Sequence, residues 1–496
     1  MIKKIVLFFL LFQFSSLLSQ DLETTLQEIA DDYGVMGMSL YVNVNGAVSE
    51  TYIGLRDYTR NLPVNQNTQY RIASVSKSFT ALGLIKLIND GIIGLDDDIS
   101  EVLGYELRNP NFLNTPITCR MLLSHTSSLQ DGSGYDPFLD ATYNQNPIPN
   151  ISELLLASGS FYTANIWRQE SPGTYFTYSN INYGLIGTLI EALSGLRFDV
   201  FMREQILIPL EIDGSFNIQD LTDINNVSVL YRYNNGWIAQ WDNYQGIMPI
   251  APNLDDYTIG TNGVYFSPQG GLRITANEMN SIARALASDG VFYNLNITEE
   301  NYQLMKAIAW DYNESNGDNY GGLFNRWSLG LHHANLSDSD AICLNISESF
   351  IGHPGEAYGL VSDNYFIEGS DVSFSLLING VQQGYQIGNS AFYTIEEDIF
   401  ETICIHINQI LDQVTLNDIK FEIIPNPAKS NITITLPSKL SNSEIVLVDI
   451  RGKTVKKIRT ESKGSIDLIL LGISKGVYFI KVSGGEKSSI KKLIIE

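Results

Sequence analysis

The chain is poor in the residues that would betray its function class at a glance. It has only three cysteines in 496 residues, Cys119, Cys343 and Cys404, too far apart to write a disulfide framework or a zinc-type ligand set. An exported chain could pair two of them, although their apolar neighbours read instead as the setting of small buried hydrophobes. The five histidines cluster only at His332-His333. Adjacent residues on a strand point to opposite sides, so that pair is a poor chelate. Basic residues are scarce: 31 Lys+Arg stand against 55 Asp+Glu, a formal charge of −24. That balance excludes the basic surface a nucleic-acid binder needs. After the first 20 residues no apolar run is long enough to span a bilayer. There is no internal repeat and no low-complexity tract.

What is present is enough to build a core, with 44% hydrophobic and 11% aromatic residues. At roughly 150 residues per domain the length predicts about three domains, or one large domain and a small one. The N-terminus reads as a secretory signal over residues 1–19. Lys3 and Lys4 precede the apolar run Ile5 to Phe14, and small residues follow from Ser15 to Ser19. Charge then shifts along the chain. Residues 416–496 carry 14 Lys+Arg and 8 Asp+Glu, whereas residues 1–415 carry 17 and 47. A shift of that size marks a module boundary.

Between those ends the pattern is α+β. Helical spacing over residues 21–33 is followed by two strands over 36–55, with Asn45-Gly46 as their turn. Helices are expected from Ser74 to Asp90, from Ser179 to Leu193, and from the capping box Thr275–Glu278 onward. Strand-like runs occupy Trp327 to Gly380, including the stretch Ala341–Ser347, and a helix follows near 392–413. This order predicts an antiparallel sheet flanked by helices from both chain ends, with a helical lobe inserted between. Long polar loops at 128–150 and 215–262 are placed to shape a binding site. After a linker at 414–420, short alternating runs over 421–496 predict a small β-sandwich.

Three short elements carry the chemistry. In Arg71-Ile72-Ala73-Ser74-Val75-Ser76-Lys77, Ser74 sits where a loop enters a helix, with a free N–H and the positive end of the helix dipole. Lys77 is one turn on, and as a neutral amine it can take the Ser74 proton, provided burial lowers its pKa. Ser-x-x-Lys recurs at Ser488/Lys491 and Ser489/Lys492, but on a predicted strand, where positions three apart face opposite sides. In Tyr178-Ser179-Asn180 a phenol able to relay protons and an amide able to hold a carbonyl stand before a helix. In Gly352-His353-Pro354-Gly355-Glu356, His353 is a candidate proton-transfer or positioning group, and Gly355 admits close backbone approach. The N–H of Glu356 is a candidate second oxyanion donor.

In this order the three elements resemble the pattern of serine β-lactamases and penicillin-binding proteins. The stretches Ile117–Leu129 and Ser267–Leu272 resemble the same family's class C branch, which also holds DD-carboxypeptidases, esterases and D-aminopeptidases. The resemblance implies a hydrolase domain over residues 20–413, with Ser74 as acylated nucleophile and Lys77 and Tyr178 sharing base and relay work. It implies that Asn180 orients substrate, that His353 fills the basic position of the third motif, and that Gly355 and Glu356 help form the oxyanion site. No metal or cofactor is implied. One departure stands out: the hydroxyl residue that helps hold a substrate carboxylate is replaced by Pro354. Arg273 is a substitute cation to be tested. The tail, from Ile424-Pro425-Asn426-Pro427-Ala428 to its basic end, resembles a type IX secretion sorting domain. It implies export to the surface or medium and the outer-membrane secretion machinery as a partner.

The expected function is therefore a secreted serine hydrolase acting through an acyl-enzyme on a small ester, amide or peptide. Its rivals are a non-catalytic sensor of peptidoglycan fragments and a surface adhesin that uses the fold as scaffold.

Overall fold

The structure, a computed structural model, describes residues 21–293, 295–335, 338–417, 421–436, 443–449, 454–460, 464–484 and 487–495. The expected signal segment lies outside the described residues. The chain packs as two units, Met1–Ile407 and Asn408–Glu496.

The first unit is organised by one antiparallel sheet of nine strands. Helix α1 covers residues 21–33 and leads into β1 (Gly37–Val44) and β2 (Ala47–Asp57). Their register pairs Val44 with Ala47, so Asn45-Gly46 forms the turn, both at positive φ as such a turn requires. Helices α2 (Ser76–Asn89), α3 (Asn180–Ser194) and α4 (Ala276–Ala287) come next. The chain then returns to the sheet through β3 (His332–Ala334), β4 (Phe350–Ala357), β5 (Leu360–Ile367) and β6 (Val372–Ile378). Across the sheet the order is Leu62–Pro63, β2, β1, β6, β5, β4, β3, Arg326–Trp327, Trp310–Asp311. β1 thus pairs directly with β6, from the far end of the unit.

Every residue of β1, β5 and β6 is buried, because helices cover both faces of the sheet. α4 opens with the expected capping box, Thr275 and Glu278 exchanging bonds, and docks by Asn280 Nδ2 to Ser375 Oγ at 3.1 Å. Helix α5 (Thr394–Asn417) presents Phe400 to Phe374 of β6. The helical lobe lies between β2 and β3, built from α2, α3 and short helices such as Cys119–Leu123 and Phe198–Met202. α2 is buried nearly all round, its polar Ser76, Lys77, Ser78 and Thr80 included.

Several local expectations change. Residues 341–347 form turns rather than a strand. The polar stretch 128–150 contains a helix, Tyr135–Asn144, whose buried Tyr135, Phe138 and Ala141 recur at helical spacing. The stretch 215–262 folds a hairpin, Leu230–Tyr233 with Trp237–Trp241. The linker expected at 414–420 starts as the last turn of α5, and residues 418–420 lie outside the described set. Cys343 and Cys404 are joined in a disulfide, and only Cys119 is a free buried thiol. The apolar neighbours read correctly as burial but concealed the pairing, since a bond between residues 61 apart is a tertiary fact.

The second unit has a three-stranded sheet, Glu422–Ile424, Asn431–Thr435 and Ser465–Ile469, and a four-stranded one. Ile432 and Ile434 from the first share one core with Leu447, Ile480 and Leu493 from the second, which makes the unit a β-sandwich.

Candidate active site

Ser74 sits in a single 3-10 turn, Ala73–Val75, that runs straight into α2. Ala73, just before it, is held at φ +46°, a left-handed conformation that an L residue adopts only under constraint from its surroundings. The strained turn projects the Ser74 side chain away from the helix axis. One turn on, Lys77 is fully buried, with 0% exposure. Its Nζ lies 3.1 Å from Ser74 Oγ, 2.9 Å from Asn180 Oδ1 and 2.8 Å from the Gln269 carbonyl oxygen.

Burial lowers the Lys77 pKa to about 7, against a smaller opposing pull from Asp131. A neutral amine has two N–H groups and one lone pair. In the neutral form the two carbonyl oxygens can take the two hydrogens, which leaves the lone pair for the Ser74 hydroxyl. The Asn180 orientation is itself fixed: Nδ2 donates to Asp131 Oδ2 at 2.9 Å, and a carboxylate only accepts, so Oδ1 must face Lys77.

Asp131 was invisible in the sequence. It accepts from Asn180 N at 3.0 Å, Ile181 N at 2.9 Å and Ser179 Oγ at 3.2 Å as well, capping α3 from a different segment. Ser179, at the N-cap position, makes no side-chain cap of its own. No local signal marks an aspartate 49 residues from the amide it orients. Gln269, within the Ser267–Leu272 stretch already singled out, contributes its main chain rather than a side chain, and that too has no sequence signature.

Tyr178 brings its hydroxyl into hydrogen bonding with Ser74, and burial raises its pKa so that it keeps its proton. Its ring lies 4.9 Å from Lys77 Nζ and stacks on Phe324 at 5.1 Å. His125 packs beneath it, ring to ring at 4.5 Å, and its Nδ1 accepts from Ser179 N at 3.2 Å. Burial and the nearby Lys77 keep His125 neutral.

The third element forms the wall opposite. A Cβ built on Gly355 would meet Ser362 Oγ at 2.5 Å, Ile72 O at 3.0 Å and Ser74 N at 3.1 Å. Only a glycine lets β4 lie this close to the turn that carries Ser74. Ser362 Oγ ties the two together, 3.0 Å from Ile72 O and 3.2 Å from Gly355 O. Glu356 follows with its side chain turned outward to Arg232 at 3.0 Å, which leaves the backbone as its contribution on this side. His353 is buried and 6.1 Å ring to ring from Tyr178, and its Nδ1 donates to Pro354 O. Burial and Lys77 push its pKa well below the ordinary value, so it carries no charge. Its Nε2 has no partner among the described residues. The motif therefore stands next to the site without supplying a cation. Arg273 does not replace one either, since its guanidinium is buried in a two-pronged pair with Asp242 at 2.7 and 2.9 Å.

Comparison with known proteins agrees with this geometry. The beta-lactamase family matches residues 22–390, and the secretion system C-terminal sorting domain matches residues 422–496. Protein flp of Staphylococcus aureus (strain MRSA252) is 27% identical over 196 residues, covering 39% of this chain and 37% of that one. A penicillin-binding protein of Bacillus subtilis (strain 168) is 29% identical over 191 residues, covering 38% and 39%. The chain thus spans well under half the length of these relatives. Among solved structures, the octameric penicillin-binding protein homologue from Pyrococcus abyssi aligns with TM-score 0.57 at 18% identity, over 96% of both chains. D-amino acid amidase from Ochrobactrum anthropi SV3 aligns with TM-score 0.57 at 21% identity, over 79% of this chain and 99% of its own. These two likenesses concern the fold.

Proposed function

The chain belongs to the beta-lactamase family and ends in a type IX secretion sorting domain, and from that premise we propose a secreted serine hydrolase that works through an acyl-enzyme. The single observation that carries the reading is the fully buried Lys77 amine 3.1 Å from Ser74 Oγ, its pKa lowered by burial to about 7 so that the neutral base is accessible near neutrality. In the first step Ser74 Oγ forms a bond to a substrate carbonyl carbon while its proton passes to Lys77 Nζ. The oxyanion is held by the Ser74 and Glu356 N–H groups. Tyr178, protonated and bonded to Ser74, is the group to hand a proton to the leaving alcohol or amine as that bond breaks. Lys77 then returns its proton to Tyr178; water attacks the acyl carbon while its proton passes to the freed Lys77 amine, and the bond to Ser74 Oγ breaks as that proton goes back to Oγ, releasing the acid. Asn180 serves twice, orienting Lys77 by Oδ1 and, once substrate enters, bordering its carbonyl side chain. His353 acts as a positioning residue, bracing Tyr178 through their ring contact.

Pro354 leaves the third motif without a hydroxyl, so efficient β-lactam turnover is not expected from that element. Esters and amides are the proposed substrates, with amides of D-amino acids in the panel because of the amidase likeness. A purely binding role, as sensor or adhesin, does not call for an unprotonated lysine next to a serine.

Intact-mass analysis after a fluorophosphonate probe tests the reading. One adduct on Ser74 is expected, with none on Ser74→Ala. A wild-type chain that stays unlabelled sinks it. Turnover of nitrocefin, p-nitrophenyl esters, D-amino-acid amides and an acyl-D-Ala-D-Ala peptide then ranks the substrates.

A further inference from the structure

Arg71 stands three residues before the nucleophile and holds no carboxylate within ion-pair reach among the described residues. Its Nε donates to the Gly270 carbonyl at 3.0 Å. Gly270 in turn packs on Ala73, where an added Cβ would lie 3.6 Å from the Ala73 carbonyl. The guanidinium is thereby tied to the carbonyl of Gly270, which borders Ala73 and follows Gln269. Its other side is aromatic. The carbon of the guanidinium lies 5.1 Å from the Trp241 ring centroid and 5.6 Å from that of Tyr358, and those two rings stack at 4.7 Å. Tyr143 completes the group, its hydroxyl 2.6 Å from Ser267 Oγ at the start of the same stretch.

These residues come from separate places. Tyr143 belongs to the 128–150 segment and Trp241 to the 215–262 segment, the two expected to shape specificity. Tyr358 lies two residues past Glu356, at the turn from β4 to β5. Both segments and the oxyanion strand therefore converge on one arginine. The neighbouring cations are engaged elsewhere: Arg273 with Asp242, and Arg232 with Glu356. Arg71's terminal nitrogens hold no hydrogen bond among the described residues, and its side chain is held by rings rather than by an acid.

We propose that Arg71, braced by Trp241 and Tyr358, is the specificity residue that binds a free carboxylate on the substrate, in place of the hydroxyl that Pro354 removes. The inference rests on the hydrolase reading above and names its substrate class: an ester or amide that bears a carboxylate a few bonds from the scissile carbonyl. A guanidinium fork matches a carboxylate in geometry, and stacking on rings keeps it planar and in place without quenching its charge. Arg71 touches substrate through this contact alone and takes no part in proton transfer.

The test uses the full chain and matched substrate pairs. One pair is acyl-D-Ala-D-Ala and its C-terminal amide, and the other is mono-p-nitrophenyl succinate and p-nitrophenyl butyrate. In the wild type, kcat/KM is expected to favour the carboxylate member by roughly 10- to 100-fold. Arg71→Gln is expected to erase that ratio and Arg71→Lys to restore part of it, with the difference in KM rather than kcat. Fluorophosphonate labelling of each variant shows that the site is intact. A labelled Arg71→Gln with the wild-type ratio overturns the proposal, as does a wild type that prefers the neutral members. Should Arg71→Gln fail to fold, calorimetry on Ser74→Ala decides: acyl-D-Ala-D-Ala is expected to bind roughly tenfold or more tightly than its amide, and equal affinity overturns the proposal. A wild type that binds the carboxylate yet takes no label at Ser74 overturns the hydrolase reading instead.

Discussion

Lys77 shows how a single residue converts burial into reactivity. Exposed, its amine would be almost wholly charged near neutrality; buried, it titrates at about 7. Only the neutral form can accept the Ser74 proton, so kcat/KM is expected to rise with pH through about 7. Lys77→Arg keeps a charge but no base, and should lower kcat by roughly 10²- to 10⁴-fold. Asp131 works in the opposite direction to burial, since its negative charge favours the ammonium. Asp131→Asn should therefore move the acid limb of the pH–rate profile downward, by roughly one unit. An unmoved or raised midpoint would mean that Asp131 serves only as the cap of α3.

At the scale of elements, the approach of β4 to the Ser74 turn is set by one missing side chain. Gly355→Ala must push β4 away from Ile72 and Ser74, because the new carbon would lie 3.0–3.1 Å from their backbone atoms. A displacement near 1 Å at a reacting centre costs roughly 10²-fold, so kcat should fall by about that much. Overpacking of this kind costs about 1–3 kcal/mol, so the thermal midpoint should fall far less than activity does.

A second element pair faces away from the site. Asp363 of β5 and Glu396 in the first turn of α5 are both buried and feel each other's charge, and neither Asp363 carboxyl oxygen has a hydrogen-bond partner among the described residues. Burial raises both, Glu396 from 4.5 to about 7 and Asp363 well above 3.8, as two carboxyls in one apolar seam cannot both ionise cheaply. The sign follows from linkage. The folded state keeps protons the unfolded chain has lost, so this stabilisation is full below the ordinary carboxylate range and fades as pH rises through about 7. The thermal midpoint should decline from pH 4.5 to 8, and Glu396→Gln should flatten that decline. A midpoint that climbs over the same range in the wild type would refute the picture of two carboxyls kept protonated by burial.

The whole molecule joins two addresses in one chain, a hydrolase-type unit and a sorting unit of opposite charge balance. The Cys343–Cys404 disulfide closes 61 residues of the first unit, worth roughly 4 kcal/mol by loop entropy. Such a bond suits the oxidising exterior that the sorting domain addresses. A chain ended after residue 413 should keep fluorophosphonate labelling at Ser74 and unfold cooperatively, yet stay inside the producing cell's envelope rather than reach the medium or surface. Loss of labelling on truncation would show that the first unit depends on the second.

Local pattern was enough for whatever depends on neighbours in the chain. The Asn45-Gly46 turn, the Thr275–Glu278 capping box, the apolar α2 and the one-turn spacing of Ser74 and Lys77 each follow from a few consecutive residues. The shift in charge balance after residue 416 was equally legible, because net charge is additive along a sequence. What escaped was whatever depends on distant segments meeting. Asp131 on Asn180, the Gln269 carbonyl on Lys77, Cys343 on Cys404, Asp242 on Arg273, and the rings around Arg71 are all contacts between remote stretches. Sequence supplies the groups able to react; only the folded chain, by bringing a carboxylate to one side of an amide and a carbonyl to the far side of an amine, decides which of them holds a proton and which gives it up.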